Sequence, residues 1–534
     1  MGTIPHLFLL CLVAGSFIVF TEGTATEYKR VCYFTNWSQY RQGIGRFTID
    51  NVDATLCTHI IYAFAGFDEK FQVITTQQND LQTFDTMQKL KLKNHDLKFL
   101  LAIGGWNFGV EKFSRMVSCA DNRKKFIKSA IAFLHKYEFD GIDYDWEYPA
   151  HRGSPATDKH LFTLLIQETK VAFVQNAQIT RNPRLLISAA VAAGKSTVAA
   201  AYEINLIHPG LDFINLMSYD LQKQNGKTSH HSPLFASKSI NQTDTVESSV
   251  KTWLRGGVPP QKLVVGLPLY GRSFTLSTAS TGIGAPISGV GFPGRYTKQP
   301  GIMASYEMCP QLRLGFNRVW LNDQKVPYAY GFTYRRGQWV GYDDIPSYRQ
   351  KVCWLKSKGL GGAMMWSLDM DDFTGNECKG EAYPLLKLVK KILTTDTGTI
   401  GQCTLPRLYD TLASKESGAT STPTASGSSS KQESPTSGET SREEDSVPTD
   451  AVPTDAVPTD VDVDAIMAAS VGTGRPSGTL AAAGDSFCAG QSDGLYPHAS
   501  DSHRFYHCAN GATSDKACPD GLVYSADIHV CTWP

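Results

Sequence analysis

Eight short apolar runs, separated by stretches of helical periodicity, constrain the fold of this chain more than any other feature. Continuous apolar runs of this length are typical of strands buried on both faces. Their alternation with helical patterns, such as the one at 122–137, indicates a parallel sheet. The predicted strands are Arg30–Phe34, His59–Phe64, Lys98–Gly104, Gly141–Trp146, Arg184–Ala190, Phe213–Met217, Leu263–Leu267 and Gly362–Trp366.

The number of these units favours a closed barrel of the α/β class. Eight strand–helix units over about 370 residues fit a (β/α)8 (TIM) barrel with insertions. Periodicity alone fits a doubly wound open sheet almost as well. More than ninety residues separate the seventh and eighth predicted strands, and the part at about 272–340 is rich in Gly, Tyr and short polar turns. A barrel would therefore carry an insertion here.

The fourth predicted strand is unusually acidic. Side chains two apart in a strand point to the same face, so Asp143, Asp145 and Glu147 are predicted to share one face. Tyr144 and Trp146 would point the other way, into a covering layer. Crowded carboxyls raise the pKa of at least one of them and favour a shared proton. The pattern therefore predicts a carboxyl that stays protonated near neutral pH and can act as an acid.

Two other interpretations of this stretch are open. In the first, the strand face is simply polar, although Asp and Glu are disfavoured in strands. The alternating carboxylates could also hold a hard cation, although the stretch lacks the Gly-turned loop of a calcium site.

Composition limits the partners and the compartment. Lys plus Arg and Asp plus Glu both number 51, so neither nucleic acid nor a membrane is expected as partner. The apolar run Leu7–Phe20, followed by small and polar residues, predicts a signal peptide over 1–23. No later run is long enough to span a bilayer. The 12 cysteines therefore predict disulfide bridges in a secreted, extracellular protein.

The last part of the chain divides into a linker and a small module. Residues 396–484 are rich in Ser, Thr, Pro, Ala and Gly and repeat Val-Pro-Thr-Asp, which predicts a disordered linker. Residues 485–534 regain cysteines and aromatics, and a module of this size needs covalent support. Its four cysteines allow three pairings. We expect Cys488–Cys518 and Cys508–Cys531 in a β-rich fold.

The acidic strand resembles the signature of a known family. Asp140-Gly141-Ile142-Asp143-Tyr144-Asp145-Trp146-Glu147-Tyr148-Pro149 is similar to the motif of glycoside hydrolase family 18, the chitinases, and in particular to the secreted animal members. The final module, with Gly494-Leu495-Tyr496-Pro497 and Gly521-Leu522-Val523-Tyr524, resembles a peritrophin-A-type chitin-binding domain with four cysteines instead of the usual six. The resemblance implies a (β/α)8 catalytic domain over 24–395, with a small α+β insertion at about 272–340 beside the substrate groove.

The resemblance also implies the roles of individual residues. Glu147 would protonate the glycosidic oxygen, and the N-acetyl group of the substrate, rather than a second carboxylate, would attack C1. Asp145 would hold the acetamido N–H and stabilise the developing positive charge, and Asp143 would share a proton with Asp145. Tyr219 would donate its hydroxyl to the acetamido oxygen, and Trp366 would form the floor of the −1 subsite. No metal or other cofactor is implied.

Further substrate contacts are expected at the carboxyl ends of the strands, where barrel enzymes place their active sites. Aromatic faces with scattered hydrogen-bonding groups suit an amphipathic sugar polymer. These candidates are Tyr33, Phe64, Gly104, Gly105, Trp106, Asn107, Tyr148, Met217, Ser218, Asp220, Tyr270, Arg272, Met365 and Trp366. In the final module, Trp533 is expected to stack on a sugar, with packing of the small core as the alternative.

Two loops depart from the family pattern. Gln222–Gly226 and Gln77–Asp80 each lack a tryptophan that the family commonly carries there. Losing a stacking platform costs on the order of 1–2 kcal/mol per site. We therefore expect weaker binding of long chains and less transglycosylation, with the chemistry unchanged.

Cysteines outside the module follow the family only in part. The resemblance implies the bridges Cys32–Cys57 and Cys309–Cys378. Cys403 lacks the partner that some relatives have at the position of Thr55, so it is expected to be unpaired, and Cys119 and Cys353 are unassigned. The protein is expected to act as a monomer on chitin and chito-oligosaccharides. Two other functions are open: a chitin-binding lectin that has kept the groove, and a glycoprotein whose Ser/Thr-rich tail is the working part.

Overall fold

The structure is a computed structural model that describes residues 28–222, 225–333, 336–395, 403, 487–489, 491, 494–509, 512–518, 523–526 and 530–532. Its centre is a closed barrel of eight parallel strands, in which the first strand pairs with both the second and the last. The barrel prediction is therefore confirmed, and the open sheet is wrong. The barrel strands are β1 (Lys29–Thr35), β2 (His59–Phe67), β4 (Lys98–Gly104), β5 (Gly141–Asp145), β6 (Leu186–Ala192), β7 (Phe213–Met217), β8 (Leu263–Pro268) and β15 (Gly362–Trp366), with β3 (Val73–Ile74) added antiparallel to β2.

Helices cover the outside of the barrel. The longest, α4, begins at Asp158 and ends at Thr180, and it buries Phe162, Leu165 and Ile166 against the strands. The helices are α1 (Asp80–Leu90), α2 (Glu111–Val117), α3 (Ala120–Lys136), α4 (Asp158–Thr180), α5 (Lys195–Ala201), α6 (Ile204–Ile207), α7 (Val246–Arg255), α8 (Ser305–Arg313), α9 (Ile345–Ser357) and α10 (Pro384–Thr394).

The barrel strands bury both of their faces. Outward side chains such as Tyr144 and Trp146 pack with the helices in one large core, where Trp146 stacks on Phe113 with 5.0 Å between ring centroids. Inward side chains such as Ile61 and Val264 fill a separate, smaller core. Two buried faces explain why the strands are continuous apolar runs in the sequence.

A second sheet is inserted between the seventh and eighth barrel strands. It has the order β10-β9-β14-β13-β12, with β11 also paired to β9 and helix α8 attached. Tyr270 and Arg272 lie on β9, so this sheet places them at the carboxyl-terminal end of the barrel. Its strands are β9 (Tyr270–Leu276), β10 (Ile287–Val290), β11 (Ile302–Ala304), β12 (Asn317–Leu321), β13 (Val326–Thr333) and β14 (Arg336–Gly341).

The described parts of the last fifty residues form β strands and the turns beside them. Three strands form one antiparallel sheet in the order β16-β17-β18, and two more form a hairpin. Trp533 lies outside the described residues. The strands are β16 (Gly494–Pro497), β17 (Arg504–Ala509), β18 (Ala512–Ala517), β19 (Val523–Ser525) and β20 (Val530–Thr532).

The disulfides confirm two predicted bridges and correct the others. Cys32–Cys57 and Cys309–Cys378 are present as expected. Cys403 is bonded to Cys353, which joins the chain beyond the barrel back to helix α9, so the prediction of an unpaired Cys403 is wrong. Cys119 is free and exposed.

In the final module, the pairing predicted from the sequence is also wrong. Cys488 is bonded to Cys508 rather than to Cys518, and this bridge also excludes the predicted Cys508–Cys531. The backbone N–H of Cys488 donates to Thr513 on β18, and Cys508 lies on the adjacent strand β17, so sheet formation brings Cys488 and Cys508 together. Cys518 is disulfide-bonded as well.

Among the described residues, no helix is both long enough and apolar enough to cross a membrane.

Candidate active site

The acidic strand β5 places Asp143 inside the barrel, where its carboxylate is completely buried. Its Oδ2 accepts a hydrogen bond from Tyr33 at 2.7 Å, and its Oδ1 accepts from Ser188 at 2.6 Å and from Asn215 at 3.2 Å. Burial raises the pKa of Asp143 to about 6, although these three donors stabilise the charged form. The carboxyl therefore changes its charge in mildly acidic solution.

Asp145 is the last residue of β5 and is buried, and Glu147 follows two residues later and is half-buried. Burial and the charges of Glu147 and Asp143 raise the pKa of Asp145 well above its ordinary value. Burial raises the pKa of Glu147 to about 7; Tyr148 and Arg152 lower it, while Asp220 raises it further. Because the acids interact, they hold at least one shared proton at neutral pH. The predicted crowding of carboxyls is thus present in the structure.

Two glycines at the end of β4 allow this strand to approach its neighbours. Gly104 and Gly105 have φ angles of +118° and +86°, values that side chains disfavour. A Cβ on Gly104 would lie 2.2 Å from the backbone oxygen of Asp145, and one on Gly105 would lie 2.5 Å from the Phe64 ring. These glycines therefore allow the end of β4 to pack closely against Asp145 and Phe64.

An aromatic cluster lies at the ends of β1, β2 and β15. Phe64 stacks between Trp37 and Trp366, with 5.8 Å and 5.9 Å between ring centroids. Trp366 also contacts Tyr33, the residue that donates to Asp143, at 5.1 Å. The cluster thus provides an apolar platform directly beside the acids.

Tyr219 follows strand β7, two strands away from β5 in the barrel, and interacts electrostatically with Asp145 and Glu147. Burial raises the pKa of Tyr219 well above its ordinary value, and the charges of Asp145 and Glu147 add to this effect, so its hydroxyl stays protonated. A Cβ on Gly266 would lie 2.9 Å from the Tyr219 ring, so glycine in β8 leaves room for this side chain. The tyrosine is therefore a hydrogen-bond donor at all ordinary pH values.

Asp220 forms an ion pair with Arg272 of the inserted sheet. Its Oδ1 accepts from the Tyr270 hydroxyl at 2.8 Å and from Arg272 Nε at 2.6 Å, and its Oδ2 accepts from Arg272 Nη2. Partial burial favours the neutral acid, but contacts with His231 and Arg272 lower the pKa of Asp220 below its ordinary range. Asp220 is therefore a permanent carboxylate near Glu147.

Trp106 and Arg152 form a stacked pair beside the backbone of Glu147. Trp106 is 55% exposed, and the Arg152 guanidinium lies 3.5 Å from its ring centroid. Arg152 Nη1 also donates to the backbone oxygens of Glu147 at 2.8 Å and Trp106 at 3.2 Å. Asn107, next to Trp106, is exposed as well. One face of Trp106 is thus occupied by Arg152.

Two predicted contact residues point elsewhere. Met365 is buried in the outer core between the strands and the helices, and its neighbour Met364 is the one that faces inward, toward the Tyr219 hydroxyl. Ser218 is completely buried and donates to the backbone oxygen of Gly266 at 2.8 Å. The structure therefore assigns both residues to the framework, because the pleat of each strand turns them away. Met217, in contrast, is half-buried against the inner core.

Sequence reasoning missed several neighbours of the acids. Ser188 and Asn215 are polar residues within apolar strand runs, and that interruption was the signal that could have revealed them. Trp37 and Arg152 lie in turns outside the predicted strands, where no periodic pattern marks them. His231, in the loop after β7, carried no signal at all.

The described residues place acids, a protonated tyrosine and aromatic platforms at the carboxyl ends of the barrel strands. This is the arrangement of a carbohydrate-active barrel protein of the glycoside hydrolase class. The model of the Glycosyl hydrolases family 18 matches residues 29–371, and that of the Chitin binding Peritrophin-A domain matches 488–534. The chain belongs to glycosyl hydrolase family 18 and carries a C-terminal peritrophin-A chitin-binding domain.

Similar proteins include active and inactive members of this family. Chitotriosidase-1 from Mus musculus is 40% identical over 510 residues, which cover 95% of both chains. The structure of TsES1, an immunomodulatory active chitinase from Trichuris suis, is 41% identical with a TM-score of 0.65, and human YKL-39, a pseudo-chitinase with retained chitooligosaccharide binding, is 42% identical with a TM-score of 0.66. Each match covers 69% of this chain and 100% of the other.

Proposed function

We propose that this protein is a secreted endochitinase that hydrolyses the β-1,4 linkages between N-acetylglucosamine units by substrate-assisted catalysis with retention of configuration. The observation that carries the proposal is the half-buried Glu147, whose pKa of about 7 is combined with a second acid, Asp145, whose pKa is also raised. A carboxyl with such a pKa is protonated in mildly acidic solution and is a strong enough acid to donate its proton.

Glu147 protonates the glycosidic oxygen, and the bond between that oxygen and C1 breaks. The carbonyl oxygen of the neighbouring acetamido group forms the new bond to C1, which gives an oxazolinium ion. Water then attacks C1 from the side that the leaving sugar vacated, and Glu147, now a carboxylate, takes its proton. The bond between C1 and the acetamido oxygen breaks in this step, which restores the acetamido group. Each of the two displacements inverts C1, so the β-configuration is retained. No metal or organic cofactor takes part in this proposed sequence.

Asp145 and Tyr219 act on the acetamido group. Asp145 accepts a hydrogen bond from its N–H, which orients the carbonyl toward C1 and stabilises the positive charge that develops there. Asp143, supported by Tyr33, Ser188 and Asn215, exchanges a proton with Asp145 during the cycle. Tyr219 donates its hydroxyl to the acetamido oxygen.

The surrounding aromatic and polar side chains bind the sugar chain. Trp366 forms the floor beneath the sugar that is attacked, and the stack of Trp37 and Phe64 extends this apolar surface. On the other side of Glu147, the exposed face of Trp106 and the Asp220–Arg272 pair contact the leaving part of the chain. Tyr148, Asn107, Met217 and Tyr270 complete these contacts.

The C-terminal domain keeps the enzyme on insoluble chitin. A second binding module raises the effective concentration of the catalytic domain at the polymer surface without changing its chemistry. Secretion fits the observed disulfides, which persist in oxidising compartments. Asn36-Trp37-Ser38 and Asn241-Gln242-Thr243 are glycosylation sequons. Asn36 is buried and bonded to Asp80, whereas Asn241 is exposed, so we propose Asn241 as the glycosylated residue.

The second candidate function is a chitin-binding lectin without catalysis. It is favoured by the similarity to human YKL-39, a pseudo-chitinase with retained chitooligosaccharide binding. The loops at Gln77–Asp80 and Gln222–Gly226, which lack tryptophans, also allow for altered function.

Product analysis distinguishes the two functions. Chitohexaose incubated with the wild-type protein is expected to yield shorter oligomers with the β-anomer in excess immediately after cleavage. Binding of chitohexaose without any cleavage, at every pH between 3 and 8, would instead establish the lectin.

A further inference from the structure

His231 is buried directly behind Asp220 and has no role in the reaction described above. Its imidazole is completely buried, and neither ring nitrogen has a hydrogen-bond partner among the residues that the structure describes. Nδ1 lies 3.5 Å from Asp220 Oδ1, at the upper limit of hydrogen-bond distance but without the geometry of a hydrogen bond. Leaving two buried polar atoms unpaired is costly, so a histidine in this position requires an explanation.

The backbone ties His231 to the segment that carries Asp220. The N–H of Leu221 donates to the backbone oxygen of His231 at 2.7 Å. The imidazole also packs on Tyr270, with 5.1 Å between ring centroids, and Tyr270 itself donates to Asp220. Any displacement of His231 is therefore transmitted to the Asp220–Tyr270–Arg272 contacts.

Charged and titratable groups surround His231 on every side. Asp220 lies in front of it, with Arg272 and Tyr270 on strand β9, and His230 precedes it at 5.4 Å between rings. Behind it, Asp343 forms a buried ion pair with Lys351, which also bonds to Ser232. Burial lowers the pKa of His231, and Arg272 acts in the same direction, whereas Asp220 and Asp343 favour the charged form. The imidazole is therefore neutral at pH 7 and takes up a proton in acid.

A protonated His231 would compete for Asp220. Oδ1 of Asp220 already accepts two hydrogen bonds, from Tyr270 and Arg272, which use both of its lone pairs. An imidazolium N–H only 3.5 Å away would form a charge-assisted bond, and such a bond is about twice as strong as a neutral one. It can form only by displacing one of the existing donors.

We propose that His231 is a positioning residue: when neutral it leaves the Asp220 carboxylate on Arg272 and Tyr270, and when protonated it draws the carboxylate away and weakens binding of the sugar chain. This inference rests on the proposed function, in which Asp220 and Arg272 contact the substrate.

Binding measurements in the inactive full-length Glu147→Gln variant test the inference without interference from the acid. We expect the Kd of chitohexaose to rise about fivefold between pH 7.5 and pH 5.0, the lower range of coupling between two sites. Adding His231→Asn, which keeps a polar side chain but cannot take up a proton, should remove most of this change; the remainder is the contribution of Asp143, which changes its charge at about pH 6. His208→Asn is the matched control, because His208 is partly buried and also has an unpartnered Nδ1, but its backbone oxygen accepts from Lys262, far from Asp220 in the barrel; this variant should keep the change.

An equal pH dependence with and without His231→Asn would overturn the inference, and so would a pH-independent Kd, while leaving the proposed chitinase intact.

If chitohexaose does not bind at either pH, the proposed function fails, and histidine-labelled NMR then decides the role of His231. The same titration decides if His231→Asn does not fold. The pKa of His231 should then lie below 6.5 and fall further in Asp220→Asn, since the carboxylate favours the imidazolium; an unchanged pKa in that variant would refute the contact.

Discussion

At the scale of single residues, the site depends on how each carboxyl is solvated. Asp143 receives three hydrogen bonds and changes its charge at about pH 6, whereas Glu147, with fewer donors, does so at about pH 7. Asp220, paired with Arg272, stays charged throughout. Neighbouring acids thus have separate pKa values, which is how one site supplies both a proton donor and a charge stabiliser.

Replacing Ser188 by Ala should move the acidic limb of activity to higher pH. The substitution removes one of the donors that stabilise the charged form of Asp143, so the pKa of Asp143 rises. A hydrogen bond to a charged group contributes about 1.5–3 kcal/mol, which corresponds to roughly one to two pH units. The pH profile of kcat/KM for chitotetraose measures the shift. Ser129→Ala, at a serine that accepts from Val73 outside the site, should leave the profile in place; a shift of the same size in both variants would argue against the assignment to Asp143.

Replacing Arg152 by Gln should extend activity to more alkaline pH. Arg152 lowers the pKa of Glu147, so without its charge Glu147 keeps its proton to higher pH and the alkaline limb of kcat/KM moves upward. Lys112→Gln, at a cation that lies over the Phe108 ring, is the control for loss of a positive charge elsewhere on the barrel. A downward shift of the alkaline limb in Arg152→Gln would contradict this account.

At the scale of elements, the barrel strands were predicted to within a few residues because strands buried on both faces are continuous apolar runs. Because such a run has no alternation of polar and apolar residues, it does not show which side chains point into the barrel and which point outward. Nothing in the run Gly362–Trp366 shows that Met364 faces inward and Met365 outward, so Met365 was wrongly assigned to the substrate. The acidic strand was the exception, because its alternation defines its two faces.

The connection of β4 to its neighbours can be tested with two glycines of similar conformation. Gly105 and Gly109 have φ angles of +86° and +77°, so alanine at either position costs about 1–3 kcal/mol in the backbone. At Gly105 the new Cβ would also overlap Phe64, whereas at Gly109 it meets nothing within 4 Å. The overlap should cost a further 1–3 kcal/mol or so. Thermal denaturation should therefore show a larger loss of Tm, together with lower activity, for Gly105→Ala; equal losses would show that the contact with Phe64 is unimportant.

At the scale of the whole molecule, the sequence could not specify contacts between distant segments. The partners of Asp143 lie 45 residues away at Ser188 and 72 residues away at Asn215, and only barrel closure brings them together. Cysteine pairing failed for the same reason: Cys353–Cys403 and Cys488–Cys508 depend on which strands and helices become neighbours. The family resemblance predicted the two disulfide bridges that relatives share and gave no information on the other bridges.

Removing the C-terminal module should separate polymer binding from catalysis. A chain that ends shortly after Cys403 keeps the bridge to Cys353 and all described residues of the barrel. We expect its kcat/KM on chitotetraose to stay within about twofold, and its rate on insoluble chitin at low enzyme concentration to fall by about tenfold or more, because the tethered module supplies avidity. Equal loss of activity on both substrates would indicate that the module stabilises the barrel rather than binds the polymer.

The most direct test of the account is the release of a chromophore from a chitobiose glycoside by the wild type and by Glu147→Gln across pH. The wild type should be active in mildly acidic solution and should lose activity as the pH rises through about 7, because Glu147 then gives up the proton that it must donate. Glu147→Gln should be slower by about 10²–10⁴-fold while its affinity for chito-oligosaccharides remains. Equal rates for the two proteins, or wild-type activity that increases above pH 7, would contradict the assignment of Glu147 as the acid.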